Sequence, residues 1–156
     1  MNNLTFDDGF QEVTLNNDPN RVIRWNPTDI NFVDRFLAFK TWVDEDYIPK
    51  IKSTNIKADD WKQVLEGYTP GTLEELGKEL NEAIDTCFNS KISEVAFGGA
   101  SPLTPIKNGN LLFINFIDAL TPMIEESLNK FDSARQRYTN AAKKASGAPA
   151  PNKKKK

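Results

Sequence analysis

A chain of 156 residues with no histidine and one cysteine, Cys87, is long enough for one domain and lacks the parts for His-based triads, His-ligated metals, disulfide frameworks or zinc ribbons. Hydrophobic residues at 38% and aromatics at 10% suit a globule, and loss of the commonest general base points to a binding or assembly module, not an enzyme, with no catalytic, metal or cofactor residue expected. The net charge of −2 is uneven: residues 1–142 hold 14 bases against 22 acids, net −8, while residues 143–156 hold six lysines, so the acidic body disfavours nucleic acid and the basic end reads as a solvated tail.

Residues 4–25 read as a β-meander of two or three strands. Phe6-Asp7-Asp8-Gly9-Phe10 suits a tight hairpin, and Asn16 to Asn20 is a second turn by composition. Arg21 to Trp25 is a short strand. These strands must pack on helices or on another subunit, because an isolated hairpin is marginal. The segment 27–145 reads as helical, which makes the class mainly α with a small N-terminal β-meander, α+β. Asn26 is placed as N-cap, Pro27 at the first helical position, and Asp29 near the positive helix end. The apolar positions Ile30, Val33, Phe36, Leu37, Trp42 and Val43 recur at helical spacing, and Pro49 is expected to stop this helix near Tyr47.

Ala58 to Glu66 reads as a short helix closed by Gly67. Thr72-Leu73-Glu74-Glu75 has the form of a capping box. The helix it opens aligns Leu73, Leu76, Leu80, Ile84 and Cys87 and is expected to run to Phe88. Lys91 to Phe97 is a short amphipathic piece ended by Gly98-Gly99, and Ser101 to Pro105 is an irregular loop. The last helix is placed from Asn108 or Gly109. Its apolar positions Phe113, Ile117, Leu120, Ile124, Phe131 and Tyr138, with Ser127, Ala134 and Ala141, form a heptad seam over about four heptads. Pro122 lies off the seam, so a kink is expected and not a break. Residues 1–145 are one domain in this reading, and 146–156 a disordered Lys-rich tail.

Several features have a sharp reading and a plain one. Cys87, on an apolar helix face, reads as a small buried hydrophobe. Asp7-Asp8-Gly9 reads as a turn, since the other ligand positions of a calcium loop are missing. Asp44-Glu45-Asp46 and Asp59-Asp60 read as solvated helix ends. Gly98-Gly99 reads as a helix stop with positive φ, because no strand precedes it and no Lys-Ser/Thr follows. Trp25, Trp42 and Trp61 sit among acidic and apolar residues, which favours core or interface packing over base stacking. The seam competes on different terms. The helix of residues 73–88 covers about half its length, so the stretch around Phe131 and Tyr138 needs another partner or stays half exposed. The six seam residues named above are therefore the candidate partner-binding set, and a homo-oligomer is expected. Met1 to Phe6 has no basic n-region or apolar h-region, and Leu111–Ile117 is far short of a membrane span, so an intracellular protein with no membrane partner is expected.

Phe6-Asp7-Asp8-Gly9, followed by Val22-Ile23-Arg24-Trp25-Asn26-Pro27-Thr28-Asp29-Ile30-Asn31-Phe32, resembles the opening of small tail proteins from phages of Gram-positive bacteria. Ile84 to Phe88, Val95-Ala96-Phe97-Gly98-Gly99 and Asn108 to Phe116 are similar to the same group's C-terminal half. The family resembled is the tail assembly chaperones of long-tailed phages, over roughly residues 5–140. The resemblance implies a helical protein of the host cytoplasm. Such a protein holds the tape-measure protein, or tail tube subunits, during tail assembly and leaves the finished particle. It carries over no catalytic residue. A structural tail or connector protein is the alternative. An acidic inhibitor of host defence is a third reading, disfavoured because acids and bases are interspersed. Lys153 to Lys156 require an adenine-rich codon run of the kind on which ribosomes slip, and such genes commonly use slippage to make a longer product; a programmed frameshift is expected there.

Overall fold

The computed structural model describes residues 1–54, 56 and 60–145. The fold is α+β: an N-terminal antiparallel hairpin, β1 (Gln11–Leu15) and β2 (Asp18–Trp25), precedes the helices α1 (Ile30–Trp42), α2 (Ile48–Ser53), α3 (Trp61–Gly67), α4 (Thr72–Phe88), α5 (Ser93–Phe97) and α6 (Leu112–Ala145). Residues 146–156, expected as a tail with a frameshift site at Lys153–Lys156, and Ala58 and Asp59, expected as helical, lie outside the described residues.

The hairpin pairs Gln11 with Trp25 and Val13 with Ile23, with an irregularity between Thr14 and Leu15. Its turn is Asn16-Asn17, both with positive φ, a conformation asparagine tolerates better than most residues. Pro19, predicted for the turn, lies near the start of β2. The first predicted turn joins no strands, so the meander has two. The Asp7 and Asp8 carboxylates accept from the Gly9 and Phe10 N–H groups at 2.9 and 3.0 Å, and these side-chain turns replace ladder bonds. The loop docks on the entrance to α1: the Asn26 amide donates to the Asp8 carbonyl at 2.8 Å.

That docking moves the cap of α1. Asn26 Oδ1 accepts from the Thr28 N–H and hydroxyl at 3.0 and 2.8 Å, which holds a turn ahead of the helix. The N-cap is Asp29, whose carboxylate accepts from the Asn31 N–H at 2.9 Å. Nor does the chain stop near Tyr47. Val43–Tyr47 widens into a π-helical turn, and α2 follows with Pro49 in its first turn. A proline ring clashes with the carbonyl four residues back in a regular helix, and the wider turn relieves this.

Two further helix starts differ from expectation. Gly71, at φ 96°, is the N-cap of α4, and the predicted box does not close. The Thr72 hydroxyl donates backwards to the Thr69 carbonyl at 2.8 Å, and the Tyr68 hydroxyl accepts from the Leu73 N–H at 2.9 Å. α6 begins at Leu112, because Asn108-Gly109 turns the chain between Ile106 and Asn110. Its first N–H groups are satisfied from the preceding loop: Leu112 donates to Thr104 at 2.8 Å and Phe113 to Pro102 at 3.0 Å. Pro102 itself is buried beside Gly77 of α4, where an added Cβ would meet Ser101 Oγ at 3.2 Å.

One core joins the hairpin underside (Ile23, Trp25), α1, α4, α5 and the first half of α6. Aromatic rings run through it: Trp25 to Phe88 at 5.7 Å, Phe32 to Phe88 at 4.9 Å, and Tyr47 to Phe113 at 6.0 Å. As expected, Cys87 is buried and Gly98-Gly99 ends α5 with positive φ.

Candidate functional site

The unusual element is α6. It runs 34 residues, about 50 Å at the helical rise, and carries Pro122 without a break. The Thr121 hydroxyl donates to the Ile117 carbonyl at 3.0 Å, one residue from the Asp118 carbonyl that Pro122 leaves without its helical partner. Ser127, on the same seam, is buried with its hydroxyl 2.5 Å from the Pro27 carbonyl and 2.8 Å from that of Met123. It ties α6 to the entrance of α1, and it is the last buried residue of the helix among those described. Every residue from Leu128 to Lys144 is exposed.

The six seam residues therefore divide. Phe113, Ile117, Leu120 and Ile124 are at most 5% exposed; α1, α4, α5 and the hairpin cover them, so in this fold they build the core and present no surface to a partner. Phe131 is 45% exposed and Tyr138 78%. They stand on one stripe of the projecting arm with Ala134 and Ala141.

The sequence reading passed over what flanks that stripe. Lys130 and Arg137 precede the seam positions Phe131 and Tyr138 by one residue each, and Lys144 continues the seven-residue spacing; this is a coiled-coil flank and was legible from the heptad assignment. Between 128 and 144 there are five bases and one acid. Lys130 pairs with Glu126 at 3.0 Å, and Arg135 with Asp132 at 2.6 Å. Hydrogen bonds from Arg135 and Gln136 hold the Asp132 carboxyl below its ordinary range. A cleft of about 460 Å³ lies at the root of the arm, lined by Gly9, Phe10, Ile30, Ser127, Lys130 and Phe131.

Other apolar side chains are also uncovered. Trp61 is 69% exposed and forms with Val64 and Leu65 the open face of α3, whereas Trp25 is buried and Trp42 half-buried in the core. Among the described residues no group of three or more acids or cysteines gathers where it could hold a metal ion, and no helix is long and apolar enough to cross a membrane. Burial pushes the Cys87 thiol up to about 11, against a smaller opposing pull from Arg35, so it is protonated at neutral pH and a poor nucleophile. No family model, curated protein or solved structure matches the chain.

Proposed function

We propose that this chain is a tail assembly chaperone of a long-tailed phage, working in the host cytoplasm. In this reading it binds the tape-measure protein or tail tube subunits, self-associates around that client, and does no chemistry. The observation that supports it best is the arm: Phe131 and Tyr138 stand exposed on a continuous helix whose root is bolted into the core through Ser127. A rigid apolar stripe with basic flanks is suited to an extended amphipathic helix, which buries its own stripe against it. The sequence resemblance supplies the identity of the client.

The test is co-purification with a tape-measure fragment from the same genome. Replacing Phe131 and Tyr138 with serine should abolish client binding while leaving the thermal midpoint unchanged, since neither residue is buried. Undiminished binding by that variant overturns the reading. So does recovery of the chain at stoichiometric level from purified particles, which makes it a structural component instead.

A further inference from the structure

We propose that the arm of one copy seats in a trough along α4 of a second copy, so that the chain assembles head to tail. The trough runs between α4 on one side and α1 and α2 on the other. It consists of two adjoining depressions: one has an apolar floor of Phe39, Trp42, Ala83 and Cys87 beside Arg35, the other is mainly polar, with Lys50, Thr72 and Glu75 around Leu76, and Glu79 lines both. α4 spans 17 residues and the arm runs from 128 to 144, so each is about 25 Å long. No residue of the arm lines the trough of its own chain.

Charge selects this partner. α4 carries five acids and one base, and the arm five bases and one acid. Two arms laid against each other would bring like charges together, which disfavours a symmetric arm-to-arm coil. The spacing also matches. Glu75 and Glu82 are exposed and seven residues apart on α4; Arg137 and Lys144 are seven apart beside the arm's apolar stripe. Glu79, between the two acids, is occupied by Lys50 at 2.7 Å, which leaves the outer pair to meet an incoming helix. With the arm antiparallel to α4, so that Lys144 meets Glu75 and Arg137 meets Glu82, Phe131 and Tyr138 would lie along the stretch that carries Ala83 and Cys87. One surface meeting a different one is a heterologous contact, which closes into a ring or continues as a filament.

This seat rests on the reading of the arm as the contact surface, and the two fail differently. Sedimentation velocity on the full chain decides both. The native protein should associate at about 50 mM salt and weaken by about 500 mM, where screening shortens. Arg137→Glu with Lys144→Glu, and separately Glu75→Lys with Glu82→Lys, should each weaken association about tenfold or more. Combining all four substitutions in one chain, or mixing the two defective variants, should restore it to within about threefold of native. If the arm variant loses association and neither combination restores it, the seat is wrong and the arm reading stands. If Phe131→Ser with Tyr138→Ser leaves association and client binding intact, the arm reading falls and the seat with it. A native chain that stays monomeric at about 100 µM overturns the seat. Should the lysine reversals unfold α4, Glu75→Gln with Glu82→Gln replaces them; association equal to native in that variant overturns the seat as well.

Discussion

Tyr47 shows how a polar atom is carried into an apolar core. Its ring is fully buried beside Trp42 at 5.0 Å and Phe113 at 6.0 Å, and its hydroxyl donates to the Leu76 carbonyl at 2.6 Å. Burial, reinforced by the nearby Glu79 carboxylate, pushes its ionisation well above the ordinary tyrosine range. Tyr47→Phe should cost about 1–2 kcal/mol in urea unfolding, with an unchanged m-value. Cys87 shifts in the same sense, from 9.0 to about 11. Its contribution to stability is complete below pH 9, where both states are protonated. Above pH 9 the unfolded chain gives up its proton and the folded chain does not, so stability falls as the pH rises and levels off beyond about pH 11. The loss should approach roughly 3 kcal/mol, and Tyr47 adds to it above pH 10. Unfolding midpoints measured from pH 8 to 11 should decline, and Cys87→Ala should flatten the decline between pH 9 and 11.

At the level of elements, the docked N-terminal loop and the α6 anchor meet at the entrance to α1. Gly9 sits at φ 79°, and a Cβ there would lie 2.8 Å from the Asn26 side chain. Gly9→Ala should therefore destabilise by about 1–2 kcal/mol and loosen residues 4–10 from the helix start, visible as faster proton exchange at the Asn26 side-chain amide. Ser127→Ala removes the hydroxyl bond to the Pro27 carbonyl and should cost about 1 kcal/mol. The periodic parts of these elements were legible. α4 ends at Phe88 as its apolar spacing indicated, and α6 runs through Pro122. The helix starts were not. Asn26, Thr72 and Asn108 each have cap-forming side chains, yet the Asn26 and Asn108 oxygens accept from Thr28 and Asn110 in turns ahead of the helices, and the Thr72 hydroxyl donates back to the Thr69 carbonyl. Local capping rules rank the candidates; they do not contain the Asp8 carbonyl, eighteen residues away, that takes the Asn26 amide and docks the loop there.

For the whole molecule, the division of α6 at Ser127 separates a packed body from a projecting arm. Backbone amides of the core helices should exchange near the global unfolding free energy, while those from Leu128 to Lys144 should exchange through local opening, several kcal/mol lower, because every residue there is exposed and none belongs to the core. Binding of a client or a second copy should slow exchange along the arm and leave the hairpin unchanged. If the arm is already protected in the dilute monomer, its stability is intrinsic and the exchange rates carry no signature of a partner.

The sequence by itself determined the fold class, most core-facing residues of the helices, with Ile30, Leu37 and Leu73 exposed against expectation, and the presence of a seam longer than any helix available to cover it. Those features follow from periodicity and length, and both are properties of neighbouring residues along one chain. Only the tertiary structure decided where cover ends, and so which seam residues are core and which are surface. Ile117 and Tyr138 occupy the same heptad position on one helix, yet one is 3% exposed and the other 78%. The difference comes from elements far off in sequence: the Pro27 carbonyl that receives Ser127, the rings of Phe88 and Phe97 against Phe116, and the Tyr47 ring against Phe113. Burial is a property of what is packed alongside, and a heptad pattern records only that something apolar has to be.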